Sequence, residues 1–254
     1  MSNNIIFYFT GTGNSLKVAK NIGNSLENCD IVSMPSFCGN AIHAHYDRIG
    51  FVFPVYAFGI PNAVKKFITE TNFQQSNAWH FAIATHGGVT GNSIPMLNKK
   101  LREKGISLSA CFDIKMAASY ICLCDMPANT ESIQKKSQIK IDAIKKLIEN
   151  KVSNKIKRTN PLFLVSELAA QSFPHMDKYY NVSAECSECG ICYKVCPVNN
   201  IEMVNAHPVF RHTCEQCTAC IQCCPNKALN YKNKTQNRRR YINPEISIGE
   251  LLSR

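Results

Sequence analysis

An α/β fold built on a parallel sheet, followed by a small cysteine-rich unit, is what this sequence predicts, and three observations predict it. From Ile5 to about Asn150, short β-rich apolar runs alternate with helical stretches. The first run ends in a loop of hydroxyls and glycines that opens into a helix, and the last third of the chain repeats one cysteine and proline skeleton. A length of 254 residues suits one large domain and one small one. Apolar residues at 45% and charged residues at 19% are a globular composition, which excludes a mainly disordered chain. No apolar run approaches the roughly 20 residues of a bilayer crossing, so no membrane span is expected. The N-terminus enters a β-like run without a basic lead or small-residue cleavage site, and the expected location is cytoplasmic.

Strands are expected at Asn4–Phe9, Asp30–Met34, Arg48–Phe53, Trp79–Thr85 and Ser107–Ala117, and helices at Ser15–Leu26, Pro61–Thr71, Asn92–Lys104 and Glu131–Val152. In the last helix Ile133, Ile141, Ile144 and Ile148 keep helical spacing while the lysines take the other side, as a docking face or simply a solvated one. Asn160 and Pro161 break the pattern, and Leu162–Phe173 leads on to the cysteines. The expected organisation is a sheet domain over 1–158, a connecting helical segment over 159–178, the cysteine unit over 179–232 and a basic tail over 233–254. The formal charge of +11 lies in two places: residues 135–158 carry nine Lys/Arg against two acids, and residues 231–254 six against two.

Nine of the fourteen cysteines fall between Cys186 and Cys224. Without an export signal, such density points to metal rather than disulfides. Two copies of C-x-x-C-x-x-C-x-x-x-C-P stand 28 residues apart: Cys186, Cys189, Cys192, Cys196 and Pro197, then Cys214, Cys217, Cys220, Cys224 and Pro225. Three thiolates at three-residue spacing can wrap one cubane iron-sulfur cluster in a single loop, with a fourth ligand from farther away. Zinc is the competing metal, but two C-x-x-C knuckles would leave the third cysteine and the C-P ending unexplained in both copies. Over about Tyr179–Tyr231 the chain resembles the bacterial two-cluster ferredoxins, in which the fourth ligand crosses over. That resemblance implies one 4Fe-4S cluster on Cys186, Cys189, Cys192 and Cys224, and a second on Cys214, Cys217, Cys220 and Cys196. Cys223, Cys29, Cys38, Cys111, Cys122 and Cys124 are expected to be free core thiols.

After the first strand comes Thr10-Gly11-Thr12-Gly13-Asn14-Ser15. Hydroxyls and free backbone N–H groups at a helix N-terminus make an anion site. The nucleotide triphosphatase loop needs Gly-Lys-Ser/Thr, which is missing, and the dinucleotide fingerprint needs a third glycine where Leu16 stands. The stretch resembles the flavodoxin family, whose loop reads approximately Ser/Thr-x-Thr-Gly-Asn-Ser/Thr. The resemblance implies a doubly wound sheet in the order 2-1-3-4-5 with FMN bound at the strand ends. It also implies that the loops Pro54-Val55-Tyr56-Ala57-Phe58-Gly59 and Thr85-His86-Gly87-Gly88-Val89-Thr90 close on the flavin ring. Tyr56 or Phe58 would then stack on it, unless both are simply core or surface aromatics. His86, where such proteins often carry an aromatic, would stack less strongly or titrate near the ring. Gly59 would permit a peptide flip toward the ring edge.

Together the halves resemble flavodoxin/ferredoxin fusion proteins over nearly the whole chain, including Arg240-Tyr241-Ile242-Asn243-Pro244 in the tail. That implies electron transfer between two 4Fe-4S clusters and FMN, with redox proteins such as acidic ferredoxins as partners. The lysine helix and Arg238, Arg239 and Arg240 would steer them. A flavin-dependent reductase of a small substrate is the alternative. A zinc-binding nucleic-acid protein is the remote one, and no nucleic-acid partner is expected because the basic residues lie outside the cysteine repeats.

Overall fold

The computed structural model describes residues 3–42, 45–73, 77–156 and 163–253. Five strands, β1 (Asn4–Tyr8), β2 (Cys29–Ser33), β3 (Arg48–Pro54), β4 (Trp79–His86) and β5 (Ala110–Lys115), pair in parallel in the order β2-β1-β3-β4-β5. This is the expected 2-1-3-4-5 order, with its switch point between β1 and β3. Alternation along β1 sends Ile5 and Phe7 to one face, with Phe51, Phe53 and Phe67, and Ile6 and Tyr8 to the other, with Val52, Phe81 and Ile83. Helices α2 (Asn62–Glu70) and α3 (Ser93–Arg102) cover the first face; α1 (Asn14–Gly23) and α4 (Thr130–Glu149) cover the second. A sheet covered on both faces explains why its central strands read as unbroken apolar runs.

Most elements differ from expectation by a residue or more at their ends, and three differences have a visible cause or add an element. The fifth strand is shorter than Ser107–Ala117: the Leu108 N–H bonds Asn98 Oδ1 at 3.1 Å before the strand begins, and past Lys115 the chain leaves the sheet after the Met116 N–H bonds the His86 carbonyl. Helix α4 stops at Glu149 instead of Val152, because Lys151 turns left-handed (φ 50°) and the Val152 N–H reaches back to the Leu147 carbonyl. The two-residue strands Ala41–Ile42 and Asn72–Phe73 pair where none was expected. Asn160 and Pro161, the expected domain boundary, lie outside the described residues.

After α5 (Phe163–Ser172) and a 3₁₀ turn, the cysteine unit forms two antiparallel pairs. These are β6 (Tyr180–Val182) with β9 (Leu229–Tyr231), and β7 (Ile201–Val204) with β8 (His207–Phe210). The repeat in the sequence is a repeat in the backbone. Glu188, Gly190 and Asn199 are left-handed in the first copy, and Gln216, Thr218 and Lys227 are left-handed at the matching positions of the second. Each copy then makes a one-turn helix after its second cysteine, α6 (Ile191–Lys194) and α7 (Ala219–Gln222).

The unit does not stand apart from the sheet. Val195, Ala219 and Cys223 join Val18, Ile22 and Ile144 in one buried cluster, as do Ile246 and Leu251 of the C-terminal segment that ends in α8 (Ile248–Leu252). Glu215, beside Cys214, is buried and accepts the Asn62 N–H at the start of α2 (3.0 Å); burial pushes its carboxyl up to about 7. Of the six cysteines expected as core thiols only Cys122 and Cys223 are buried. Cys29 and Cys111 sit on the edge strands β2 and β5 and are half-buried, as is Cys38, while Cys124 is exposed.

Candidate functional site

A cavity of about 480 Å³ opens at the C-terminal ends of β1, β3, β4 and β5, where open parallel sheets bind their ligands. Thr10, Gly11, Thr12, Asn14, Ser15, Pro54, Val55, Tyr56, Phe58, Thr85, His86, Gly87 and Gly88 all line it, as the sequence predicts. Gly13 and Gly59 do not. Gly13 is left-handed (φ 93°) as it opens α1, and a Cβ there would meet Ile246 and Asn243 of the C-terminal segment. A Cβ at Gly59 would face Met96 and Ser166, behind the cavity wall.

The phosphate loop is wired from several sides. The Gly13 N–H bonds Thr10 Oγ1 (3.1 Å), Ser15 and Thr85 hydroxyls meet at 2.8 Å, and Thr12 Oγ1 donates to Ser119 Oγ (2.9 Å). Asn14 Nδ2 donates to the Ala117 carbonyl, while its Oδ1 accepts from Tyr241 Oη at 2.8 Å and Asn243 Nδ2 at 2.9 Å. The Asn243 N–H also bonds the Thr12 carbonyl. Lys17 on α1 is buried but pairs with Glu245 at 2.5 Å, so an anion in this loop would be met by backbone N–H groups and hydroxyls.

The ring-side loops are strained and close. Tyr56 and Gly59 exchange two backbone hydrogen bonds around Ala57 (φ 44°) and Phe58 (φ 62°), a two-residue turn that usually takes Asn or Gly. Tyr56 packs edge-on against Phe9, whereas Phe58 is 58% exposed at the cavity. Of the two candidate stacking rings, Phe58 is the open one. His86 is held differently from expectation: its side chain is only 9% exposed, and its Nε2 lies 3.2 Å from Asp113 Oδ2 across the β4–β5 edge. Burial raises the Asp113 carboxyl, but hydrogen bonds from Lys140 and His86 outweigh it and hold the group below its ordinary range.

Sequence reading missed the far wall: Met116, Ala117, Ala118, Ser119, Tyr120 and Leu123 after β5, then Phe173, Gln216, Cys217 and Thr218. Cys217 is the decisive member. A Cβ on Gly11 of the phosphate loop would stand 2.7 Å from the Cys217 carbonyl oxygen, so the second cysteine copy lies directly on the loop. Only a glycine at position 11 permits that approach.

The eight repeat cysteines sort into two sets. Cys186, Cys189, Cys192 and Cys224 line one hollow. Buried Cys220 feels the charges of Cys217, Cys214 and Cys196 first and then that of Cys192 from the hollow, so the remaining four cysteines form a second set beside the first. Each set takes three cysteines from one copy and the last from the other. Backbone donors point at sulfur: the Asn200 N–H lies 3.2 Å from Cys196 Sγ and the Gln216 N–H 3.3 Å from Cys214 Sγ. Burial pushes the Cys192 thiol up to about 11 and Cys214 up to about 12, so a cationic centre is what would hold them as thiolates. Among the described residues no three His, Cys, Asp or Glu side chains converge tightly enough for a single metal ion.

The tail arginines, expected to face a partner, are engaged within the chain. Arg238 donates to the Ile121 carbonyl (2.5 Å), Arg239 to the Pro127 carbonyl (2.8 Å) and Arg240 to Asn230 Oδ1 (2.7 Å). Among the described residues, no helix is long and apolar enough to cross a membrane.

Residues 5–112 match the family model of the flavodoxin domain. The N-terminal region is a flavodoxin-like domain. The match ends before the cysteine repeats, and no curated protein matches the chain by sequence. Among solved structures, a flavodoxin from the domain Archaea is 18% identical, with 57% of this chain and 97% of that one covered at a TM-score of 0.36. A putative flavoprotein from Bacteroides uniformis is 15% identical, with coverages of 54% and 98% and a TM-score of 0.37. Rubredoxin oxygen:oxidoreductase from Desulfovibrio gigas is 14% identical at a TM-score of 0.37; 59% of this chain is covered, but only 37% of that one. Beyond the matched residues, the second cysteine copy lines the same cavity and the C-terminal segment packs on the phosphate loop.

Proposed function

We propose that the chain is an electron-transfer protein in which two 4Fe-4S clusters, on Cys186, Cys189, Cys192 and Cys224 and on Cys214, Cys217, Cys220 and Cys196, serve FMN bound in the cavity. The observation that carries the reading is Cys217, which belongs to the second cysteine set and to the cavity wall at once. Both groups fit the residues present. The cavity offers a cation-free phosphate cradle beneath apolar walls. The first set lines a hollow, and among the described residues no cysteines converge on a point, which suits a cubane better than zinc, whose four sulfurs lie about 2.3 Å from one ion. When bound, clusters exchange single electrons and flavin takes one or two, so the pair converts between them.

The chain's own residues set the order. Cys189 is exposed and gives the first set an edge for an external one-electron donor or acceptor. α6 and α7 pack together, which keeps the two sets adjacent, and Cys217 brings the second set against Gly11. The lysines of α4 would attract an acidic redox protein, with rates that fall as salt rises. The test is anaerobic reconstitution: about eight irons with equal acid-labile sulfide and one FMN per chain support the reading. Colourless zinc protein, or protein without labile sulfide, would refute it. A second reading, reduction of a small apolar substrate at the flavin, is favoured by the exposed Phe58, Val89 and Leu123 at the cavity. Turnover without any protein acceptor would select it.

A further inference from the structure

Arg240 stands where a cation needs a reason. Its Nη2 donates to Asn230 Oδ1 (2.7 Å) and to the carbonyls of Leu229 (3.3 Å) and Lys227 (3.5 Å), which fixes the guanidinium beside β9. Its Nε and Nη1 are buried, and among the described residues neither has an acceptor. A guanidinium cannot shed its proton at any ordinary pH. Two buried, unanswered N–H groups on this half-buried cation are therefore costly unless an anion meets them. The groups whose charge acts on Arg240 are all thiols: Cys224, Cys122 and Cys220. The geometry agrees: Nη2 reaches the carbonyl of Lys227, whose N–H bonds the Cys224 carbonyl, and that of Leu229, which packs in one cluster with Cys214, Cys220 and Cys224, so the side chain sits beside both sets.

We propose that Arg240 is the shared counter-charge of the two cysteine sites, a positioning residue that raises the reduction potential of the groups they hold. The inference rests on the cluster reading above. An oxidised 4Fe-4S cluster with four thiolates carries about −2 and takes one electron without a proton, becoming more negative by one charge. A fixed, desolvated cation stabilises the reduced form more than the oxidised one. Arg238 and Arg239, whose guanidinium groups donate to carbonyls of the Ile121–Pro127 loop, are not counter-charges in this sense.

The test is an anaerobic redox titration of the full-length holoprotein, followed by electron paramagnetic resonance, with iron and sulfide measured on each sample. Arg240→Met should lower both midpoint potentials, Arg240→Lys should keep most of the wild-type values, and Arg239→Gln should leave both unchanged. A fully loaded Arg240→Met protein with unshifted potentials overturns the proposal. So does an equal fall in Arg240→Lys and Arg240→Met, which would make the loss one of hydrogen-bond geometry and not of charge. If Arg240→Met holds no iron, an iron-loaded Arg240→Lys with near wild-type potentials upholds the role, and failure of both variants to load overturns it. Wild-type protein without labile sulfide would instead sink the cluster reading beneath.

Discussion

The C-terminal segment makes a prediction that no isolated sheet domain would share: it should govern how well the phosphate loop holds its ligand. Asn14 Oδ1 is fixed by two donors from that segment, Tyr241 Oη at 2.8 Å and Asn243 Nδ2 at 2.9 Å. Burial pushes the Tyr241 hydroxyl up to about 12, so it remains a donor across the working pH range. A neutral hydrogen bond of this kind contributes about 1 kcal/mol net. Tyr241→Phe should therefore weaken FMN binding about fivefold, and Tyr241→Phe with Asn243→Ala roughly thirtyfold. The assay is titration of flavin-free protein with FMN, read by quenching of flavin fluorescence, with iron content and circular dichroism as controls. An FMN affinity unchanged in a folded double variant would refute the reasoning, because the loop would then be rigid without its tail.

Three further outcomes are expected. Gly50→Ala places a Cβ 2.3 Å from the Phe81 ring on the neighbouring strand, so the urea midpoint should fall by the equivalent of about 1–3 kcal/mol while FMN binding is retained. Gly11→Ala would push Cys217 off the phosphate loop; stopped-flow reduction of bound flavin by way of the cysteine unit should slow, and an unchanged rate would mean the contact carries nothing. His80 is buried and its pKa is pulled down to about 4 by burial, against about 6.5 when unfolded. The unfolded chain binds the proton that the folded chain refuses, so this stability is complete above about pH 6.5 and is lost, by up to about 3 kcal/mol, as pH falls toward 4. Urea midpoints compared at pH about 7 and about 5 should show the drop, and His80→Gln should flatten it.

The near wall of the cavity was legible because loops after β1, β3 and β4 announce themselves: glycines and hydroxyls interrupt apolar runs there. The wall after β5 was not. Met116 and Ala117 look like more strand, and the expected strand absorbed them, although the chain has already turned off the sheet toward Ser119 and Tyr120. The crossed sorting of the cysteines is not in the spacing, which asks only for a fourth ligand from farther away; the resemblance to two-cluster ferredoxins implies it, and Cys224 lies with Cys186, Cys189 and Cys192 in one hollow. The packing of Cys217 on Gly11 has no local signal, being a contact between residues about 200 apart. The intramolecular bonds of the arginines have no local signal either: a charge run usually marks a solvated face, yet Arg238 and Arg239 donate to carbonyls of the Ile121–Pro127 loop and Arg240 Nη2 to Asn230 Oδ1.

The duplicated cysteine copies share one backbone but not one environment. Cys214 and Cys220 are buried, whereas Cys189 is exposed and Cys186 and Cys192 half-covered. Oxygen or a chelator arriving from solvent therefore meets the outer copy first, and brief damage should strip that half while sparing the one lodged against the flavodoxin-like sheet. Such a molecule would fail from the outside inward, losing its contact with donors before it lost its hold on the ligand at its centre.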